Sequence, residues 1–573
     1  MSKVRLTIDE QEIEVNSDTT ILEAAREVGI EIPYLCYHPD LTLHGSCRVC
    51  VVEEVESGEL LASCVSPVRE GMQISTRSTR ARKARRRNVK LLLANHPNDC
   101  LGCDRNGTCE LQDIVYSMGI HSEDMDELEG ETRDLPIDDT GPALKRDPNK
   151  CILCGRCVRV CEEIQDVSAL QFSNRGFDSI VTTAFDLPQS EINCANCGQC
   201  ATVCPVGAIT EINEIDSVWD ALENEDLHVI VQTAPAIQAT IGEEFGYEPG
   251  TVVTGKLVAA LRKLGFDQVF STEFTADLTI MEEGNELLKR LKGDKDLPQI
   301  TSCCPGWVKY AEHNYPDLLP HLSTAKSPQQ MFSALAKTYY AQQAGIDPEY
   351  IFTVSIMPCT AKKFEKEREE MHDSGYRDTD AVLTTRELAR MIREVGIQFK
   401  KLKDEEYDEM MGKATGAGTI FGTTGGVAEA AVRTVMEEVN GKELKKLDLG
   451  FKGVNEASVE IGEQKLNIAI ANGLARAEEI LDEIREGKSK YDFIEVMACP
   501  HGCVGGGGQP LPVNKEIKDK RGQGLASIDE HKTIRKSHKN PMIEKLYEEF
   551  LGEPLSGESH HLLHTKYKAR DKN

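Results

Sequence analysis

The sequence predicts an α/β domain of parallel strands layered with helices, preceded by a string of small α+β modules organised around cysteine. Three observations lead there. The chain has 573 residues, more than one compact core serves, so several domains are expected. Its 20 cysteines stand mostly in short-spaced groups ahead of residue 210. From about residue 213 the pattern becomes strand then helix, repeated, which is the signature of α/β layers.

Composition narrows the class. With 66 Lys and Arg against 95 Asp and Glu, the net charge is −29, which disfavours nucleic acid and anionic membrane as partners because both are polyanions. The basic run from Arg77 to Lys90 reads as a solvated helix face or a docking patch. No apolar run is long enough to span a membrane, and Met1 to Glu10 lacks the charged-then-apolar pattern of an export signal, so a cytoplasmic location without membrane insertion is expected. In that reducing compartment, clustered cysteines read as metal ligands or catalytic thiols rather than disulfides.

Residues 1–80 alternate strand-like stretches, Val4 to Ile8 and Glu12 to Val15, with a helical one near Ile21 to Val28. They form an expected β-grasp ferredoxin-like module whose Cys36, Cys47, Cys50 and Cys64 hold a two-iron cluster. Ten residues separate Cys36 from Cys47, whereas plant-type spacing has four; structural zinc is the alternative. Residues 81–135 are helical to about Asn95 and then carry His96, Cys100, Cys103 and Cys109, a His/Cys3 set for a four-iron cluster, again with zinc as the alternative. Residues 136–212 hold Cys151, Cys154, Cys157 and Cys161, then Cys194, Cys197, Cys200 and Cys204. Both runs have the spacing of bacterial two-cluster ferredoxins, in which the fourth cysteine of each ligates the other cluster. Cys151, Cys154, Cys157 and Cys204 are therefore expected on one four-iron cluster, and Cys194, Cys197, Cys200 and Cys161 on its neighbour. Glu162 stands where that pattern has proline.

Residues 213–520 read as the large domain, with strands at Leu227 to Gln232, Gln268 to Ser271, Phe352 to Met357, Asn467 to Asn472 and Phe493 to Met497. Helices fall between them at Leu257 to Leu264, Leu278 to Leu291, Thr385 to Val395 and Ala475 to Ile484. In such layers sites form beyond the carboxyl ends of strands, and Cys304, Cys359 and Cys499 all follow strands. Gly422 to Gly426 lacks the strand–turn–helix setting of a dinucleotide fingerprint. Residues 521–573 are a charged helical segment ending in His560, His561 and His564.

Three motifs of the large domain are Thr301-Ser302-Cys303-Cys304-Pro305-Gly306-Trp307, Met357-Pro358-Cys359-Thr360-Ala361-Lys362-Lys363-Phe364-Glu365, and Met497-Ala498-Cys499-Pro500-His501-Gly502-Cys503-Val504-Gly505-Gly506-Gly507-Gly508. Together they resemble the three signatures of the iron-only (FeFe) hydrogenases, and the resemblance extends over nearly the whole chain. It implies reversible reduction of protons to H₂ at an H-cluster: a four-iron cluster on Cys304, Cys359, Cys499 and Cys503, bridged by Cys503 to a di-iron unit with CO, CN⁻ and an azadithiolate. It implies, besides, one 2Fe-2S and three accessory 4Fe-4S clusters. Lys362 would pair with a cyanide, while Pro235, Ala236, Gln329, Met357, Phe421 and Met497 would line the di-iron pocket. Ala236 replaces a serine common in monomeric relatives, and His501 a glycine. Glycines 505 to 508 would let backbone approach a bulky inorganic ligand.

Cys303 remains as a spare thiol. By the same resemblance it begins a proton relay, Cys303, Glu283, Ser323, Glu286 and Arg290; the spacing of Glu283, Glu286 and Arg290 puts them on one helix stripe. The implied partners are H₂ and protons, ferredoxin, and, in the NAD-linked trimeric relatives that Ala236 and the histidine-rich tail resemble, a flavin/NAD-binding subunit and a thioredoxin-like two-iron subunit. A stand-alone ferredoxin-dependent enzyme is the alternative. An H₂ sensor and a purely electron-transferring iron–sulfur protein are the rivals from other classes.

Overall fold

The computed structural model describes residues 2–126, 128, 130–293, 296–451, 453–462 and 464–571. The chain forms two compact units, one of residues 1–163, 168–190 and 203–210, the other of residues 164–167, 191–202 and 211–573.

In the first unit, β1 (Lys3–Ile8), β2 (Gln11–Asn16), β3 (Val51–Glu54), β4 (Leu60–Ala62) and β5 (Gln73–Ser75) make one sheet in the order β2-β1-β5-β3-β4. β1 pairs parallel with β5 and antiparallel with β2. The helix Ile21–Glu27 packs Ile21, Leu22, Ala24 and Ala25 inward and begins with a capping box between Thr20 and Glu23, which satisfies otherwise unpaired amides of the first turn. Smaller strands follow: β6 (Leu144–Arg146) beside β9 (Ile209–Glu211), and β7 (Gln171–Ser173) beside β8 (Ile180–Thr182).

The basic run is not a uniform solvated face. It lies on the helix Thr79–Ala94, which buries Ala81, Arg85 and Val89 at four-residue intervals. Arg85 Nε donates to the Val51 carbonyl at 2.7 Å, and Arg86 Nη2 to Asp124 at 2.6 Å. Charge counting misses this because helical periodicity, not residue type, decides which arginine turns inward.

Two four-stranded sheets carry the second unit. In the first, β10 (His228–Thr233), β11 (Gln268–Ser271), β13 (Ile351–Met357) and β14 (Ala381–Thr384) run parallel in the order β11-β10-β13-β14. The second has the order β12-β17-β16-β15, from β12 (Gln299–Ile300), β15 (Glu456–Ile461), β16 (Gln464–Asn472) and β17 (Phe493–Met497), with only β15 antiparallel. Val229, Ile230 and Val231 are buried together, as strands covered on both faces require. The helix expected from Leu278 starts earlier, at Thr272, because Ser271 ends β11 and caps the helix directly through the Glu273 amide. Gly422 to Gly426 joins two helices, Gly416–Ile420 and Gly426–Asn440, not a strand to a helix.

The helix Lys515–His531 runs across the boundary expected at 520. It is fastened to the helix Gly426–Asn440 by Arg433, which is fully buried and donates to Glu429 at 2.6 Å and Asp529 at 3.0 Å. Asp529→Ala strands part of that buried positive charge and is expected to cost about 3 kcal/mol. A lowered thermal midpoint of the second unit's transition, with Asp529→Asn milder, is the check.

Candidate metal centre

Strands from both sheets of the second unit end at one cavity. β10 delivers Pro235 and Ala236, β12 leads to Cys303 and Cys304, β13 to Met357, Cys359 and Lys362, and β17 to Met497, Cys499 and Cys503. All of these border a cavity of about 80 Å³, as do Gln329 and Phe421, so every residue expected to line the di-iron pocket is brought there. This is the carboxyl-end placement that parallel layers impose.

The donors suit an iron–sulfur cluster. Burial pushes all four thiols upward, Cys359 to about 12, and neighbouring thiolates add to this for Cys359, Cys499 and Cys503. Four such sulfurs cannot ionise side by side without a cation, which a cluster's iron supplies. Cys304 Sγ already accepts the Ala498 amide at 3.5 Å, a bond of the kind that tunes cluster potentials. Lys362 Nζ lies 2.7 Å from Glu365 and 3.2 Å from the Cys303 carbonyl. Burial lowers its basicity, but Glu365 and the neighbouring thiols outweigh that and keep the ammonium charged, ready for an anionic ligand. Glu365 closes the Met357 motif and has no role assigned from sequence, although its position three residues after Lys362 on one helix is a usable signal.

The glycine run has close protein neighbours of its own. A Cβ on Gly505 would stand 2.3 Å from the Pro500 carbonyl oxygen, on Gly506 2.1 Å from that of Pro358, and on Gly507 2.4 Å from that of Cys197. On Gly508 it would meet Thr384 Cγ2 at 2.7 Å. These glycines let protein backbone meet protein backbone; of the four, only Gly506 also borders the cavity. His501 does not border it and pairs with Asp519 at 3.3 Å.

The proposed relay residues lie in sequence. Glu283, Glu286 and Arg290 of the helix Thr272–Leu291 are 1%, 3% and 2% exposed, which removes the solvated-face alternative. Ser323 Oγ donates to Glu286 at 3.0 Å and is near enough to the Glu283 carboxyl to favour its anion, and Arg290 Nη2 donates to Glu286 at 3.0 Å. Burial, then the nearby Glu286 charge, push Glu283 up to about 8, and its Oε2 is buried without a hydrogen-bond partner. Glu283 is also near enough to Cys303 to raise that thiol, whose largest perturbation is burial.

In the first unit, Cys36, Cys47, Cys50 and Cys64 are buried, with thiol contacts between Cys36 and both Cys47 and Cys64, and between Cys50 and Cys64. His96, Cys100, Cys103 and Cys109 border a cavity of about 20 Å³, and the His96 Nε2 is buried without a hydrogen-bond partner, as a free donor would be. Cys151, Cys154, Cys157 and Cys204 share another of about 20 Å³, supporting the exchange of the fourth cysteine between runs. Cys161 belongs to the first unit and Cys194, Cys197 and Cys200 to the second. Among the described residues no three His, Cys, Asp or Glu side chains converge on a point holding a single metal ion; the His96 set, the Cys151 set with Cys204 and the Cys304 set border cavities instead.

Small cysteine-rich modules followed by an α/β domain with a buried, cysteine-lined cavity define an iron–sulfur oxidoreductase. Residues 227–507 match the family profile "Iron only hydrogenase large subunit, C-terminal domain" and residues 515–570 match "Iron hydrogenase small subunit". Ahead of them come a 2Fe-2S iron–sulfur cluster binding domain at 1–79, an NADH-ubiquinone oxidoreductase-G iron–sulfur binding region at 85–124 and the ferredoxin-like domain of NADH-quinone oxidoreductase subunit 3 at 141–210.

The chain is 48% identical to the NADP-reducing hydrogenase subunit HndD of Solidesulfovibrio fructosivorans over 100% of both chains. It is 41% identical to iron hydrogenase 1 of Clostridium pasteurianum, over 98% of this chain and 99% of that one. An apo FeFe-hydrogenase HydA1 structure from Chlamydomonas reinhardtii superposes with a TM-score of 0.57 at 41% identity, covering 62% of this chain and 99% of that one. The chain belongs to the iron-only hydrogenase family. It therefore combines an H-cluster domain with 2Fe-2S and 4Fe-4S modules. Among the described residues no helix is long and apolar enough to cross a membrane.

Proposed function

We propose that this chain catalyses 2H⁺ + 2e⁻ ⇌ H₂ as the catalytic subunit of a multisubunit hydrogenase linked to NAD(P) and ferredoxin. Its H-cluster would be held by Cys304, Cys359, Cys499 and Cys503, with one two-iron cluster on Cys36, Cys47, Cys50 and Cys64. Three four-iron clusters would sit on the His96 set, the Cys151 set with Cys204, and the Cys194 set with Cys161. The observation that carries this reading is the buried path from Cys303 through Glu283 and Ser323 to Glu286, which ends at the cysteine-lined cavity.

When bound, the H-cluster supplies the electrons and the metal site at which protons become H₂. The chain's own residues bring the protons. Glu283 keeps its proton up to about pH 8 and can pass it to the Cys303 sulfur. Ser323 can accept a proton from Glu286 while giving its own to Glu283, since a hydroxyl both donates and accepts. Lys362, held by Glu365, fixes positive charge at the cavity wall. The apolar faces of Pro235, Met357, Phe421 and Met497 keep water from competing there.

Full-length similarity to HndD, described as one subunit of an NADP-reducing hydrogenase, favours the multisubunit form. The equally complete match to the clostridial enzyme supports a stand-alone, ferredoxin-dependent second reading. Neither requires a nicotinamide site in this chain. The test is H₂-driven reduction of NAD(P)⁺ by the matured chain alone and after co-expression with candidate flavin-binding and two-iron subunits. Reduction only in the co-expressed complex is expected; ferredoxin reduction by the lone chain, unaffected by such subunits, would favour the second reading.

A further inference from the structure

Beyond Glu286 the relay needs an outlet, and Arg290 is chemically unsuited to be one. Its guanidinium does not release a proton at any accessible pH. Glu286 is approached from another side as well. Its Oε2 accepts from the Thr324 amide at 2.9 Å and from the Thr324 hydroxyl at 3.3 Å. That hydroxyl lies 2.8 Å from Nδ1 of His564, whose Nε2 lies 3.0 Å from the buried Glu282 carboxylate.

Backbone pairing fixes this geometry. Ala325 and His564 form an antiparallel bridge, with the Thr565 amide donating to the Thr324 carbonyl and the Lys326 amide to the Leu563 carbonyl, both at 2.8 Å. Burial would raise Glu282, but bonds from His564, Ser559 and Tyr547 outweigh it and leave the carboxyl below its ordinary value, an anion facing the imidazole. Outside His564, the exposed His560 ring stacks on it with centroids 5.0 Å apart and planes 6° from parallel.

We infer that protons reach and leave Glu286 through Thr324 and His564, with Glu282 orienting the imidazole and His560 forming the outer face of the route. The inference rests on the relay proposed above. In each inward transfer the His564 Nδ1–H bond breaks as a Thr324 O–H bond forms, and the original hydroxyl proton passes to Glu286 Oε2. No electrons move. Imidazole suits the task because one ring nitrogen can take up a proton while the other releases one. Arg290 then positions Glu286 and carries no proton itself.

The test uses anaerobically matured full-length protein whose carbonyl bands are verified in every variant. His564→Ala and Thr324→Val are each expected to lower H₂ evolution about a hundredfold, the low end of what a positioned proton-transfer group contributes. Added imidazole should restore the His564→Ala rate, and Thr324→Ser should recover what Thr324→Val loses. A readout independent of turnover is the infrared carboxylate stretch of Glu286, assigned by its loss in Glu286→Gln, which should shift in Thr324→Val. Wild-type rates in His564→Ala and Thr324→Val, while Glu283→Gln is inactive, would overturn the outlet and leave the relay standing. So would a His564→Ala loss that imidazole does not restore. Wild-type rates in Glu283→Gln and Cys303→Ala would overturn the relay and the outlet together.

Discussion

Cys303→Ala is expected to lower H₂ evolution at least about a hundredfold, the low end of what a positioned proton-transfer group contributes, with the carbonyl and cyanide bands of the matured enzyme unchanged. The thiol borders the cavity yet belongs to none of the ligand sets, so its removal leaves all four sulfurs of Cys304, Cys359, Cys499 and Cys503 in place. What disappears is the last protonated group between Glu283 and the cavity. Cys303→Asp, which restores a titratable group, should recover part of the rate. The pH profile follows from Glu283. Its folded-state value, about 8, lies above its ordinary 4.5, so it holds a proton at neutral pH and loses it as pH rises through about 8; H₂ evolution should fall on that limb. The same shift makes Glu283 contribute stability fully below about pH 4.5 and lose it progressively up to about pH 8. Glu283→Gln should remove both the activity and that dependence.

Gly506→Ala is expected to be nearly as damaging by a different route. The added methyl would stand 2.1 Å from the Pro358 carbonyl oxygen and 3.0 Å from that of Cys503. Neither is the movable end of a side chain. Pro358 immediately precedes the expected ligand Cys359, so relieving the clash separates the loop bearing Cys359 from the loop bearing Cys503, two corners of one cluster. The cost is expected to reach about 3 kcal/mol, the upper range for overpacking. Reduced four-iron incorporation in the second unit should accompany it, measured as iron content and cluster absorbance against wild type. Gly557→Ala, whose Cβ would meet nothing within 4 Å and whose φ, like that of Gly506, is not positive, is the comparison.

Much of this architecture is legible because strand and ligand lie close together in sequence. Cys359 and Cys499 each follow their strands by two residues, so the continuous strand stretches ending at Met357 and at Met497 place both sulfurs at a carboxyl end. The stripe of Glu283, Glu286 and Arg290 is legible for a similar reason, since helical spacing fixes which residues share a face. What could not be read depends on contacts distant in the chain. Nothing near Gly506 in the sequence announces that the Pro358 carbonyl packs against it. Arg85 hides in a basic run because only packing shows that it turns toward Val51. The bond between Thr324 and His564 joins residues 240 positions apart, and histidines in a charged tail give no local sign of it.

The cysteine-lined cavity of the second unit is expected to hold an H-cluster that turns over H₂. The most direct measurement is infrared spectroscopy of the anaerobically matured full-length protein, paired with H₂ evolution from reduced methyl viologen on the same sample. Carbonyl and cyanide bands together with sustained H₂ evolution are predicted. Absence of those bands despite confirmed maturation would contradict the assignment of the cavity, and bands with negligible turnover would contradict catalysis and point to a sensor built on the same fold.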